Sequence, residues 1–154
     1  MKREVLVCDN QSKIHVPPAW LVALEKAGLA AASYINDEYL LDDEAPLGDL
    51  DLVEVALVDD DESDRVHRDF MGIDGPTDVI TFEHGEIVIG LEVAKRQAAD
   101  YEEPTLRELF RYLVHGLLHL AGYDDQTDED RQNMEEVQEK LVKRYWSLIE
   151  GSSK

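Results

Sequence analysis

The chain has 154 residues, a length that fits one domain with an ordinary hydrophobic core. Its formal net charge of -20 excludes a surface that attracts nucleic acid as a whole, and its single cysteine excludes a disulfide framework. Since no apolar run approaches the roughly 18 residues of a membrane span, we expect a cytoplasmic protein without a membrane partner.

Short strands and amphipathic helices follow one another along the chain. In chain order the sequence predicts a strand at 5–8, an extended piece at 14–16, a helix at about 19–35, a strand at 52–58, a helix capped by an acid of 59–61 and running to about 71, strands at 79–82 and 86–89, and helices at about 92–101, from 105 and at about 128–149. About four short strands mixed with helices predict one α+β or α/β layered domain over residues 1–154.

The most informative segment is residues 115–125, which has the pattern H-x-x-x-H-x-x-G-x-x-D. His115 and His119 are one helical turn apart, so their side chains point to the same side of a helix. Gly122 can end that helix in a left-handed turn, which would bring Asp125 back toward the imidazoles. Two imidazoles and a carboxylate are three protein ligands, the set typical of a catalytic zinc ion that keeps one position for water.

The helix that carries the two histidines has a capping-box pattern at its start, with Thr105 as the predicted N-cap and Glu108 as its partner. Its apolar stripe lies nearly opposite His115 and His119. The members of this stripe are Leu106, Leu109, Phe110, Leu113, Leu117 and Leu120. The spacing of the two histidines resembles that of zincin metallopeptidases, but Gly116 stands where those enzymes have a catalytic glutamate. A metallopeptidase is therefore the less favoured enzyme hypothesis.

Acidic residues dominate the segment 38–64, which has no lysine or arginine. This surface has two interpretations, either a solvated face that maintains solubility or an adaptation to high internal salt. The lone Cys8 lies in an apolar run, and we expect it to be a small buried hydrophobic residue.

Taken together, these motifs resemble the YbeY family of bacterial rRNA maturation endoribonucleases. Residues 115–125 match its H-G-x-L-H-L-x-G-Y-D-H signature at every specified position except the last, and 72–82 resemble its G-x-x-x-P-T-D-V-L-S-F segment. The resemblance implies a small mixed sheet packed with about five helices. It also implies a zinc-dependent, single-strand-directed ribonuclease that acts in 16S rRNA 3′-end processing and ribosome quality control, with rRNA, the 30S subunit and ribosomal proteins as partners.

Two residues depart from the family pattern. Asp125 replaces the family's third histidine, and its negative charge should make a bound Zn²⁺ a weaker Lewis acid. Met71 stands where the family has an arginine near the cleft, and methionine cannot stabilise phosphate charge. Arg68, one helical turn earlier, is a candidate substitute.

We predict that His115, His119 and Asp125 bind one zinc ion. Arg107 and Arg111 are candidate contacts for the RNA backbone, and the alternative for either arginine is an ordinary solvated position on the helix surface. For Asp124, the alternatives are a hydrogen bond to a ligand imidazole and a cap on the turn. The competing hypothesis from another functional class is a non-catalytic ribosome assembly factor with a structural metal, since an acidic chain binds basic ribosomal proteins more readily than RNA.

Overall fold

The computed structural model of the chain describes residues 3–153. Within them, four strands form one mixed sheet: β1 (Glu4–Asp9), β2 (Leu52–Val58), β3 (Val79–Phe82) and β4 (Glu86–Gly90). The order across the sheet is β1-β2-β4-β3, with β1, β2 and β4 parallel and β3 antiparallel to β4. The α+β class predicted from the sequence is confirmed.

Five α-helices accompany the sheet in the described part of the chain. They are α1 (Pro18–Glu38), α2 (Asp60–Met71), α3 (Leu91–Asp100), α4 (Thr105–Leu120) and α5 (Asp128–Trp146), and short 3₁₀ helices cover Pro46–Asp49 and Glu150–Ser153. The predicted start of α2 is confirmed, because the Asp59 side chain accepts a hydrogen bond from the backbone N–H of Glu62. Over residues 3–153, no helix has both the length and the apolar character required to cross a bilayer.

The extended piece predicted at 14–16 is not a strand. The Gln11 side chain bonds both backbone groups of Ile14, donating to its carbonyl at 2.8 Å and accepting from its N–H at 2.9 Å. These bonds hold Ile14 in a local turn and take the place of a ladder with another strand.

The predicted capping box at the start of α4 is also wrong. Pro104 is the N-cap, its carbonyl accepts from the N–H of Arg107 at 3.0 Å, and Thr105 is already inside the helix. The Glu108 carboxylate does not return to the start of the helix, since it is buried in an ion pair with Arg111.

Helix α4 is the central element of the fold. It packs against α1, α3 and α5 as well as β3 and β4, and all six residues of its predicted apolar stripe are buried. Gly116 permits the close approach to the sheet, because a Cβ on this residue would lie 2.8 Å from Ile87 Cδ1. The central position of α4 fixes the end that carries His115 and His119.

The prediction of a buried Cys8 is wrong, because this cysteine is exposed. Strand β1 is at the edge of the sheet, and its side chains alternate between the two faces. Val5 and Val7 are buried on the face that packs against α1, which turns Cys8 to the other face.

Candidate metal centre

His115 and His119 lie in the last turns of α4, where both side chains are half-buried. Their ring centroids are 4.6 Å apart, and the two rings are nearly perpendicular. The predicted placement of both imidazoles on one side of the helix is therefore found in the structure.

Each imidazole has an oxygen partner at its Nδ1 atom. His115 Nδ1 is 2.8 Å from Gln138 Oε1, and His119 Nδ1 is 3.0 Å from the carbonyl oxygen of Tyr123. An amide or carbonyl oxygen only accepts hydrogen bonds, so each Nδ1 carries the proton and donates. The lone pair of each neutral ring is consequently on Nε2.

The two Nε2 atoms face each other at 3.1 Å. Two lone pairs at this distance repel unless a proton or a cation lies between them. Tetrahedral zinc with nitrogen ligands at about 2.0–2.1 Å places adjacent ligand atoms about 3.3 Å apart. Burial lowers the pKa of His119, and nearby His115 lowers it further, so the neutral form that binds metal is favoured. The paired Nε2 atoms therefore fit a divalent metal ion.

Asp125 approaches the same point from the loop after α4. Gly122 has a φ of 103°, which is the left-handed turn that the sequence predicted. The turn brings an Asp125 carboxylate oxygen and one ring nitrogen of each histidine within 4.8 Å of one another. Asp125 is exposed, so its side chain is free to adjust to the spacing of three ligand atoms around one ion.

Asp124 caps the turn. Its Oδ1 atom accepts a hydrogen bond from the backbone N–H of Gln126 at 3.2 Å, and the prediction that it caps the turn is confirmed. The residues that do hold the imidazoles, Gln138 and the Tyr123 carbonyl, were not predicted. A signal for Gln138 exists, because this glutamine is a polar residue on the buried side of α5, one turn after Met134.

A cleft of about 910 Å³ opens beside His115. It is bounded by α3, α4, α5 and the segment before β3, and its acidic lining residues are Asp78, Glu103, Glu108, Glu135 and Glu139. Burial raises the pKa of Tyr112, another lining residue, and the neighbouring Glu108 carboxylate raises it further. The phenol therefore stays protonated and can only donate or accept neutral hydrogen bonds.

Arg111 lines this cleft, but its guanidinium is already bonded to three carboxylates. Glu139 accepts from Nε at 2.8 Å and from Nη2 at 3.0 Å. Glu103 accepts from Nη1 at 3.0 Å, and Glu108 is paired with the same nitrogen. A phosphate group that contacts Arg111 would have to displace one of these carboxylates.

Arg107, the other predicted RNA contact, is not among the residues that line the cleft. Its Nε atom is 3.7 Å from Glu103, and its guanidinium stacks 5.4 Å from the centre of the Trp146 ring. Met71 is 58% exposed at the end of α2 and does not line the cleft either. Arg68 pairs with Asp64 at 2.9 Å on the surface of the same helix, and it too is absent from the cleft lining.

Comparison with known proteins identifies the family of this chain. A family model described as endoribonuclease YbeY matches residues 35–146. The endoribonuclease YbeY of Caldanaerobacter subterraneus subsp. tengcongensis is 32% identical, and the alignment covers 91% of this chain and 96% of that protein. The corresponding protein of Pelotomaculum thermopropionicum is also 32% identical, with 91% and 95% covered.

The fold has a counterpart of known structure. The solution structure of a Thermotoga maritima protein matches with a TM-score of 0.64 at 28% identity, and the match covers 93% of this chain and 89% of that one. Sequence and fold point to the same group of proteins, and the chain belongs to the endoribonuclease YbeY family.

Proposed function

We propose that this protein is a zinc-dependent endoribonuclease that cleaves single-stranded RNA during 16S rRNA 3′-end maturation and ribosome quality control. Family membership supports the endoribonuclease role. The observation that carries the proposal is the pair of facing Nε2 atoms of His115 and His119, which are 3.1 Å apart beside a cleft of about 910 Å³. The proposed role places the protein in the cytoplasm, with rRNA and the 30S subunit as partners.

His115, His119 and Asp125 are the proposed ligands. When bound there, a zinc ion would lower the pKa of a water molecule and polarise a phosphate oxygen. The hydrogen bonds at the two Nδ1 atoms fix both imidazoles with their Nε2 atoms toward one point. Asp125 adds a negative charge, which partly neutralises the ion and reduces its attraction for the phosphate.

The cleft beside the metal site would have to bind RNA with few cations of its own. Among the described residues that line the cleft, Arg111 is the only arginine or lysine, and five of the other lining residues carry carboxylates. For Arg111 to bind a phosphate, the phosphate must replace a carboxylate such as Glu139. We keep Arg107 and Arg111 as proposed backbone contacts, and the acidic lining predicts that RNA binds weakly at low ionic strength.

The acidic cleft also favours a second candidate function, a non-catalytic assembly factor that binds basic ribosomal proteins and holds a structural metal. Charge complementarity supports this alternative, because a basic partner is attracted where RNA is repelled. The metallopeptidase hypothesis has less support. Gly116 lies against Ile87 on the sheet side of α4, so a glutamate at this position would not reach the cleft.

Cleavage of a single-stranded fragment from the 3′ region of 16S rRNA tests the proposal. We expect wild-type protein to cleave it, a chelator to stop cleavage, and added Zn²⁺ to restore it. His119→Ala should be inactive under all three conditions while keeping its fold by circular dichroism. Co-purification with 30S particles without chelator-sensitive cleavage would instead support the assembly-factor function.

A further inference from the structure

A line of hydrogen bonds connects His115 to the half-buried guanidinium of Arg111. His115 Nδ1 meets Gln138 Oε1 at 2.8 Å, and Gln138 Nε2 meets Glu139 Oε2 at 3.1 Å. Glu139 in turn accepts two hydrogen bonds from Arg111. The line joins helix α4 to helix α5 and ends at an ion pair with Glu108, which is 4% exposed.

The direction of every bond in this line is set from its Arg111 end. A guanidinium only donates hydrogen bonds, so Glu139 is held as a carboxylate beside it. A carboxylate only accepts, so the Gln138 group that faces Glu139 must be the NH₂ group. The Gln138 carbonyl oxygen is then left to face His115, and it can only accept.

We propose that Gln138 is a positioning residue that selects the Nδ1–H tautomer of His115 and thereby directs its Nε2 lone pair toward the metal ion. Glu139 and Arg111 fix the orientation of the Gln138 amide. This inference deepens the proposed metal site and rests on it. Gln138 is 8% exposed, so water competes little for its hydrogen bond to the imidazole.

A neutral acceptor at position 138 suits the charges already present. Asp125 supplies one negative charge among the three proposed ligands, so a divalent ion there keeps a net charge of about +1. A carboxylate at position 138 would preserve the hydrogen bond to His115 but would reduce that net charge. Gln138→Glu therefore separates the effect of the hydrogen bond on the His115 tautomer and on zinc affinity from the effect of charge.

The test compares Gln138→Leu, Gln138→Glu and a matched control, Gln97→Leu, which makes the same change elsewhere in the cleft lining. Long-range ¹⁵N–¹H NMR spectra of metal-free protein at about pH 8, above the usual histidine pKa, show which ring nitrogen of His115 carries the proton. We expect the proton on Nδ1 in wild type, Gln138→Glu and Gln97→Leu. In Gln138→Leu we expect a substantial fraction on Nε2.

Zinc affinity, measured by competition with a chromogenic chelator, is the second readout. Loss of an oxygen partner to a ligand imidazole typically weakens metal binding about 10–100-fold. We expect a loss in this range for Gln138→Leu, recovery in Gln138→Glu and no change in Gln97→Leu. An unaltered tautomer in Gln138→Leu, or zinc bound equally tightly by Gln138→Leu and wild type, overturns the inference.

Failure of the proposed function would give a different result. If the protein binds no zinc but the tautomer still follows residue 138, the positioning role stands and the zinc-dependent function falls. A poorly folded Gln138→Leu variant would leave Gln138→Glu to decide. Loss of the Nδ1–H tautomer in that variant would show that the acceptor at position 138 does not set it.

Discussion

Gly116 and Ile87 are in such close contact that a methyl group on Gly116 would lie 2.8 Å from Ile87 Cδ1 and 2.9 Å from Ile87 Cγ2. This contact seats α4 on β4 and keeps the histidine turn in place. An extra methyl group in a packed core costs about 1–3 kcal/mol, and the better helix propensity of alanine returns about 1 kcal/mol. We expect Gly116→Ala to lower the free energy of unfolding by about 1 kcal/mol in urea denaturation.

The partner residue supplies the control for this prediction. In an Ile87→Ala background, the same Gly116→Ala change should stabilise the protein, because the new methyl group fills space that the isoleucine has left. The sign of the effect should thus reverse between the two backgrounds. An equal loss of stability in both would show that the Gly116–Ile87 contact is not the cause.

Local sequence patterns predicted the main helices and strands and the placement of His115 and His119 on one side of α4. The apolar stripe of α4, the Asp59 cap and the left-handed Gly122 depend on residues close in sequence, and periodicity and turn chemistry report such relations. Predictions from local patterns were wrong where a side chain has a different hydrogen-bonding or ion-pair partner from the one that the pattern implies. Glu108 pairs with Arg111 in place of the helix start, and Gln11 bonds Ile14 in a turn.

Contacts between residues far apart in the chain could not be predicted from the sequence. Gln138 is 23 residues from His115, and their hydrogen bond depends on how α5 packs on α4. The strand order β1-β2-β4-β3 places β4 between β2 and β3, which no local pattern encodes. The exposure of Cys8 follows from the edge position of β1, which is likewise a result of the strand order.

Asp125 should contribute directly to metal affinity. Asp125→Asn removes the anionic oxygen, and we expect zinc affinity, measured by chelator competition, to fall at least about tenfold. Loss of a residue that only hydrogen-bonds to a metal ligand already weakens metal binding about tenfold or more, and loss of a ligand should weaken it at least as much. Asp124→Asn is the matched control, because this neighbour caps the turn and belongs to no metal-binding group in the described chain. Equal zinc affinity in Asp125→Asn and wild type would remove Asp125 from the site.

Arg111 should be important for stability whether or not it contacts RNA. Arg111→Met leaves Glu108 buried without its cation, and breaking a buried pair in this way costs about 3–5 kcal/mol. Arg131→Met is the control, since Arg131 pairs with Asp128 on the surface and exposed pairs contribute about 0–1 kcal/mol. Urea denaturation of both variants measures the difference. Similar losses in the two variants would contradict a special role for the Arg111 network.

The net charge of -20 should make the folded chain less stable at low salt. Between about 0.1 M and about 1 M KCl the Debye length falls from about 10 Å to about 3 Å, which screens repulsion between separate carboxylates more than the contact ion pairs. We expect the melting temperature to rise by several degrees over this range, where about 1 kcal/mol corresponds to about 3 °C for a chain of this size.

A variant with the exposed acidic residues Asp42, Asp43 and Glu44 changed to their amides tests the cause. The amides keep the shape of each side chain, and the amide oxygen at position 42 can still accept the hydrogen bond that Asp42 takes from the backbone N–H of Glu44. Because three repelling charges are gone, this variant should melt at a higher temperature than wild type in 0.1 M KCl, and salt should raise its melting temperature less. Parallel salt curves for the two proteins would mean that KCl acts through some process other than screening of these charges.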